Sequence, residues 1–354
     1  MNIKRKSIVA ALAAAFSPVI AHAADINTGT EVVSNVAVFD WGPASTIAVG
    51  GNQSFVDFVN TGGQCNTVGG CRSNVFGHAQ LSAFNDSNNT PIAGTGLGSS
   101  YEITYVLGFS EKVIAGLSVP GLNVAVFGFG PDGKTTLGTI TAADAVLADG
   151  ATPNFFRMYV DTNLDANSLQ GTGFDNGTLV LSGQILPASD FNSNFTANVG
   201  TPVPIGGSGG VTPNPAWYIG GNPVRSVTGT GGTTSLDMLV LAGFVDEAFF
   251  GGSLDSFLLS NINQLLPFTT TNPSIAFPYG GVANAVNSVA GNGAHINGGT
   301  TGGIGAPLVA TNPDVIFQSD SNSPFAVVPE PGTLALLGLG LSALAATRRR
   351  KTKV

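Results

Sequence analysis

Basic residues are scarce in this chain of 354 residues, which has 13 Lys and Arg against 21 Asp and Glu. Eight of the 13 lie within residues 4–6 and 348–353, whereas all 21 acidic residues lie within residues 24–331. That interval therefore keeps five basic residues and has a formal charge of −16. Because such a surface repels polyanions, we expect no nucleic-acid partner. The charge suits divalent cations and polysaccharide, or it only keeps an exported chain soluble.

Histidine is also rare, and this argues against catalysis. Beyond the N-terminal segment only His78 and His295 remain, each in a Gly- or Asn-rich context, so a zinc site or a histidine-dependent triad is poorly supported. Residues 128–133 match the dinucleotide fingerprint and residues 206–210 match the nucleophile elbow, but neither precedes a predicted helix. We therefore predict that the protein is not an enzyme and has no catalytic residue, with an extracellular hydrolase as the less favoured alternative.

Only two cysteines are present, Cys65 and Cys71, with five residues between them. In an oxidising compartment such a pair is expected to form a disulfide. The chain-entropy model gives so small a ring a stabilisation of about 2 kcal/mol. A redox-active role is less favoured, because redox sites usually have a two-residue spacing.

Long stretches with helical periodicity are scarce, whereas Gly (49 residues) and Pro (20 residues) are abundant. Short runs of Val, Ile, Leu and Phe alternate with turn-forming residues, as in all-β extracellular proteins. We predict a mainly β fold: an antiparallel β-sandwich-like body with long Gly/Asn-rich loops and few short helices. The segments 200–234 and 280–313 are predicted to be long surface loops.

Eight runs have the composition of strands, and one has the spacing of a helix. The helix is predicted to begin at Ser253 as its cap and to continue to Ile262, because the apolar residues between them fall at helical spacing. The predicted strands are residues 32–41, 54–60, 99–109, 122–130, 134–140, 155–161, 177–185 and 235–245.

One cluster has the spacing of a cation site. Asp161, Asn163 and Asp165 alternate directly after a predicted strand, which lets oxygen ligands converge on calcium. The helix-loop-helix calcium pattern is absent, because Ala166 stands where that loop needs Gly and Thr172 where it needs Glu. The favoured alternative is an Asx-rich turn with no ion, so calcium is the single cofactor that the sequence suggests.

Tryptophan is represented by two residues. Trp217 and Tyr218 adjoin each other within a predicted loop, where two exposed rings could stack on a sugar. Core packing or interface lining is an equal alternative for this pair.

The N-terminus has the organisation of a secretory signal peptide. Residues 4–6 are basic, residues 7–20 are mostly apolar, and Ala21 and Ala23 place small side chains where signal peptidase reads them. We predict cleavage after Ala23 and export through the inner membrane.

The C-terminus combines three features. Pro329, Glu330 and Pro331 precede an apolar stretch of residues 332–347, and Arg348, Arg349, Arg350 and Lys351 follow it. As a helix the stretch would be about 24 Å long, marginally short for a hydrocarbon core of about 30 Å. The cations favour a cytoplasmic C-terminus, which leaves the Pro-Glu-Pro triplet on the outer side. An ordinary tail anchor is the alternative.

This ending resembles the PEP-CTERM sorting signal of Gram-negative bacteria, whose members are processed by an exosortase. Three stretches of the body, residues 174–185, 265–277 and 313–325, resemble the flocculation-associated PEP-CTERM proteins. The resemblance implies three regions: a signal peptide (1–23), an exported β-rich body (24–325) and a sorting signal with a short transmembrane helix (326–354). It also implies a surface or matrix protein that is anchored only transiently in the inner membrane and promotes flocculation or biofilm aggregation through exopolysaccharide. A discrete carbohydrate-binding module is the alternative.

Overall fold

The computed structural model describes residues 23–65, 70–119, 122–130, 132, 153–187, 193–204, 225–232, 238–266, 271, 273–274, 276–281 and 314–328. Thirteen strands and two helices are defined there. The strands are β1 (Ala24–Asn27), β2 (Val32–Val36), β3 (Val38–Val49), β4 (Arg72–Asn85), β5 (Glu102–Val119), β6 (Leu122–Phe129), β7 (Phe155–Asp161), β8 (Thr178–Pro187), β9 (Ser193–Pro204), β10 (Arg225–Gly232), β11 (Met238–Val245), β12 (Ser253–Leu266) and β13 (Val315–Val328). The helices are α1 (Gly51–Asn60) and α2 (Glu247–Phe250), and a 3-10 turn spans Pro278–Gly280.

The mainly β prediction is confirmed, and the strands pair antiparallel. β1 and β2 form a separate hairpin, and the other strands form one sheet in the order β10-β9-β6-β5-β4-β3-β13-β12-β11-β8-β7. This sheet curls back on itself, because β5 also pairs with β7 and β12 also pairs with β10. The two long strands thus divide their edges: β5 pairs with β7 through residues 102–108 and with β6 through residues 111–119.

Aromatic side chains fill one side of the curled sheet. Trp41 and Tyr105 meet edge to face, with ring centroids 4.6 Å apart, and Phe39 lies 4.9 Å from Phe325. These four side chains are all buried. Because aromatic rings bury large areas and interlock in tilted pairs, this cluster forms the main hydrophobic core.

The serines of β13 face this core rather than solvent. Ser319, Ser321 and Ser323 are buried at alternate positions. Their hydroxyls bond to Thr46 (2.9 Å), Tyr105 (3.4 Å) and the indole NH of Trp41 (2.8 Å), respectively. Each buried hydroxyl therefore has a partner, which removes most of the cost of burying it.

Two predictions of secondary structure are wrong: one predicted strand is a helix, and the predicted helix is a strand. Residues 54–60, predicted as a strand, lie in α1, where Phe55 packs on β5 beside Gly116 and the Ser54 hydroxyl donates to Gly51 O (2.8 Å). Residues 253–262, predicted as a helix, lie in β12. Phe257 and Leu259 are both fully buried there, which is the two-residue period of a strand.

The predicted loop of residues 200–234 is also partly wrong, because it contains the end of β9 and all of β10. The strands β1, β4, β9 and β13 lie in none of the predicted strand ranges. Residues 134–140, predicted as a strand, lie outside the described residues. Neither helix of the described ranges is long and apolar enough to cross a membrane.

The connection between β7 and β8, residues 162–177, covers the other side of β4 and β5. Thr104 of β5 donates its hydroxyl to Phe174 O (2.9 Å), and Phe174 is buried. The segment around Pro278–Gly280 lies beside this connection, because Phe277 and Phe174 both pack on His78. This second layer contains the residues of the predicted cation site.

Candidate functional site

Glu102 anchors the β7–β8 connection to the sheet. Its carboxylate is buried at 1% exposure. One oxygen accepts hydrogen bonds from the backbone NH groups of Asp165 (3.1 Å) and Ala166 (2.9 Å), and the other accepts from the side-chain amide of Gln80 (2.9 Å). Burial raises the pKa of Glu102, the two backbone NH donors lower it, and the nearby carboxylates of Asp165 and Asp161 raise it further. The connection is thus held by a carboxylate that accepts three hydrogen bonds, two of them from the connection's own backbone.

The carboxylates of the predicted calcium site are engaged by their own loop. Asp161 accepts a hydrogen bond from Asn163 N (2.8 Å), which forms an Asx turn, and Asp165 accepts from the Asn176 amide at 3.0 and 3.2 Å. The loop packs closely here, since a Cβ on Gly173 would lie 2.6 Å from the Asp165 carboxylate. Within the described ranges no group of three or more His, Cys, Asp or Glu residues is placed to hold a metal ion. Calcium binding at this loop remains a prediction.

His78 lies at the centre of the second layer and is fully buried. Its Nδ1 lies 2.7 Å from the Tyr279 hydroxyl and its Nε2 lies 2.9 Å from the Ser274 hydroxyl. The ring stacks on Phe174, with centroids 4.1 Å apart. Burial lowers the pKa of His78 to about 3, so the imidazole is neutral at physiological pH.

The hydrogen-bond directions in this network follow from its donors. Ser274 has one hydroxyl hydrogen and donates it to the backbone carbonyl of Ser168. Nε2 of His78 must therefore carry a hydrogen and donate it to Ser274, while Nδ1 accepts from Tyr279. A nucleophilic serine would instead donate to the histidine. The geometry is that of a structural cross-link that joins β4, the β7–β8 connection and the segment around Ser274.

Sequence reasoning left His78 without a role, because its partners are 196 and 201 residues away. One signal was present in the sequence. Of the three body stretches that the sequence analysis compared with flocculation-associated proteins, residues 174–185 supply Phe174 and residues 265–277 supply Ser274 and Phe277. The fold therefore brings parts of two of these stretches together around one buried histidine.

Glu111 is a second buried titratable group, on the core side of β5. Its side chain is 5% exposed and accepts a hydrogen bond from the Ser73 hydroxyl (3.1 Å). Burial raises the pKa of Glu111 to about 7, and the Ser73 bond offsets only part of that shift. The proton equilibrium of this carboxyl is thus coupled to folding near neutral pH.

Cys65 and Cys71 are bonded to each other, with Cα atoms 5.6 Å apart. The bridge joins the end of α1 to the start of β4. Cys71 is buried, has a positive φ of 60°, and accepts a hydrogen bond at its carbonyl from Val113 N (2.8 Å). The disulfide therefore lies against the same part of β5 as Glu111.

Of the remaining predicted site residues, Ala23 alone lies within the described ranges. Ala23 lies directly before β1, whereas Ala21 lies outside the described residues. The predicted stacking pair Trp217 and Tyr218 also lies outside them. The same holds for the predicted sorting residues Pro329, Glu330, Pro331, Arg348, Arg349 and Arg350.

Comparison with known proteins gives one positive result. A family model described as the PEP-CTERM protein-sorting motif matches residues 327–351. No curated protein and no solved structure matches the chain. The matched residues contain the triplet, the apolar stretch and four cations, the three features that the sequence analysis combined. The chain therefore carries a PEP-CTERM protein-sorting motif at its C-terminus and is an exosortase-processed protein of the cell surface.

Proposed function

We propose that this protein promotes flocculation or biofilm aggregation by associating with exopolysaccharide after exosortase processing. The observation that supports this role is the joining of a surface-sorting motif to an acidic body, residues 327–351 after a region of formal charge −16. The proposal assigns no catalytic residue. The association surface is expected to be spread over the body rather than concentrated in one pocket.

Crowded carboxylates suggest how such a body would associate. Asp320 keeps much of its side chain exposed, but its carboxyl is partly desolvated, and this burial and the neighbouring Asp40 carboxylate raise its pKa. Asp165, which is exposed, and Asp161, which is partly exposed, lie near the buried Glu102 at the β7–β8 connection. Repulsion between acidic surfaces is screened over about 10 Å at 0.1 M salt, but only a divalent cation can bridge two carboxylates. Association is therefore expected to need calcium or magnesium.

The experiment compares divalent and monovalent salt. A deletion strain complemented with the wild-type gene is assayed for floc sedimentation before chelation, after chelation, and after return of calcium. Sodium chloride matched for ionic strength is the control. We expect calcium to restore sedimentation and sodium chloride to leave it low; equal recovery would mean that screening alone explains the effect.

A second arm tests whether calcium acts at one loop. If calcium binds at this loop, Asp161→Ala and Asp165→Ala remove a calcium-dependent rise in melting temperature. Asp86→Ala is the matched control, because Asp86 forms a similar exposed turn by accepting from Asn88 N and Thr90 N at 2.8 and 2.9 Å. If all three variants retain the rise and aggregate normally, the bridging is diffuse and the local site is wrong.

A third arm addresses a discrete glycan site. Saturable binding of the purified body to one defined glycan, lost in Trp217→Ala or Tyr218→Ala, would replace the matrix role by a carbohydrate-binding module. Retained binding in both variants is expected under the proposal.

A further inference from the structure

The last strand of the sheet runs directly into the sorting motif. Val327 and Val328 pair with Leu254 and Ser253 of β12 at the end of β13. The matched motif begins at Val327. These two residues therefore belong to the folded sheet and to the sorting motif at once.

This overlap leaves almost no spacer between the body and the membrane. Four residue steps separate Val328 from Gly332, where the apolar stretch begins. At full extension they span about 13 to 14 Å. This maximum distance is only slightly larger than the width of one α-helix with its side chains, which is about 10 to 12 Å. While the tail is in the membrane, the end of β13 must lie close to the bilayer surface.

The N-terminal strand begins at the same end of the body. Gly251 has a φ of +69° and approaches β1 so closely that a Cβ there would lie 2.9 Å from Asp25 O. Two residues later, Ser253 pairs with Val328. The residues that follow the predicted signal cleavage and precede the Pro-Glu-Pro triplet are thus neighbours. We call residues 24–25, 247–254 and 327–328 the terminal end.

The last two rungs of the β12–β13 ladder, which are the residue pairs at the terminal end, are weaker than the pairs further into the sheet. Phe257 and Phe325 are paired and fully buried, and Phe250 packs on Phe325 with centroids 6.0 Å apart. Ser253, in contrast, is exposed, and Leu254 and Val327 are only partly buried. Because local opening costs little where few apolar contacts are lost, the last two rungs can separate while the core stays folded.

We propose that the terminal end is the surface that meets the exosortase, and that the last two β12–β13 rungs open when the enzyme takes the motif. The edge of β13 that pairs with β12 at Val327 and Val328 cannot serve β12 and an enzyme cleft together, because the backbone groups on that edge already face the partner strand in the ladder. The folded body thus competes with the enzyme for the start of the motif. This inference rests on the sorting motif and not on the proposed role in flocs.

The test locks the rung in a host whose exosortase removes the wild-type tail. Ser253→Cys with Val328→Cys places two cysteines at directly paired positions. Tail loss is followed over time by intact mass. We expect the oxidised variant to lose its tail slower by about tenfold or more, and dithiothreitol to restore the wild-type rate, with wild-type protein in dithiothreitol as the redox control.

A second lock on the same strand is the matched control. Asp40→Cys with Asn322→Cys joins β3 to β13 away from the terminal end, and tail loss should keep its wild-type rate. A rescue variant adds Gly-Ser-Gly-Ser-Gly-Ser-Val-Val between Val328 and Pro329 of the locked protein, which repeats the start of the motif outside the ladder. Restored tail loss supports the proposal. A locked rung processed at the wild-type rate, or a locked protein that the insertion does not rescue, would overturn it.

Discussion

His78 and Glu111 show, at the scale of single residues, how burial changes protonation in opposite directions. Both side chains are buried without an opposite charge as the cause of their pKa shifts. Burial disfavours the charged form, so the pKa of the histidine falls to about 3 and that of the carboxyl rises to about 7. The two groups therefore oppose each other in the dependence of stability on pH.

The signs follow from proton linkage. His78 stays neutral in the folded state, while the histidine of the unfolded chain takes up a proton below pH 6.5. Its contribution to the unfolding free energy is therefore lost as the pH falls from 6.5 toward 3. Glu111 stays protonated in the folded state, while the glutamate of the unfolded chain releases its proton above pH 4.5. Its contribution to the unfolding free energy is therefore lost as the pH rises from 4.5 to about 7. Near-neutral destabilisation should come from the glutamate.

Glu111→Gln is the first prediction at this scale. The amide keeps the shape of the side chain but cannot ionise. The unfolding free energy of the variant minus that of wild type should rise by up to about 3 kcal/mol when the pH is raised from about 4 to about 8. Urea denaturation at both pH values measures this difference. Glu247→Gln, at an exposed position, is the control and should show no such gain; an equal gain there would contradict the assignment to Glu111.

The second prediction at the scale of single residues concerns Ser274→Ala. It removes the acceptor of His78 Nε2 and the donor to Ser168 O, and it leaves both groups buried without those bonds. The loss should be about 1 to 3 kcal/mol in urea denaturation. Ser99→Ala is the matched control, because Ser99 is exposed and its hydroxyl bonds locally to Gly96 O. Similar losses in the two variants would mean that the His78 network adds no special stability.

At the scale of elements, the disulfide is the connection whose removal is easiest to predict. Cys65→Ser with Cys71→Ser frees the end of α1 from the start of β4. The unfolding free energy should fall by about 2 kcal/mol, because the unfolded chain regains the freedom of a small closed ring. Thermal unfolding measures the loss. Alkylation of the exported wild-type protein before reduction should label neither thiol, and labelling of both would contradict the bridge.

The secondary structure of α1 and that of β12 were both predicted wrongly, which shows where the local sequence pattern is insufficient to distinguish a helix from a strand. Residues 54–60 and residues 253–262 each contain apolar residues that fit more than one period. Phe55 is buried in α1 against Gly116 of β5, whereas Leu259 is buried in β12 opposite Met238 of β11. Partners far away in the sequence therefore decided both types, since packing overrides weak intrinsic propensity.

At the scale of the whole molecule, the sorting motif predicts a change in mass. With an exosortase present, the mature protein should lose its C-terminal tail, because the Pro-Glu-Pro triplet precedes a marginally short apolar stretch. Intact-mass measurement of the exported protein reads the result. Residues Arg348 to Val354 still attached in the surface-exposed protein would contradict the prediction.

The sequence alone was sufficient for the strand-rich class, the acidic body and the sorting motif. Each of these depends on composition or on a short continuous stretch, such as residues 329–351. Strands bounded by turn residues were also recognisable, and residues 155–161 match β7 in both bounds. Local order of this kind follows from side-chain chemistry and backbone preferences that neighbours in the chain share.

Only the tertiary structure decided the rest. The closure of the sheet through β5 and β12, the His78 contacts with Ser274 and Tyr279, and the pairing of Val328 with Ser253 all join residues far apart in the chain. Such contacts depend on which faces must be buried together, and this is a property of the packed molecule rather than of any one stretch. For the same reason, burial rather than residue type set the pKa values of His78 and Glu111.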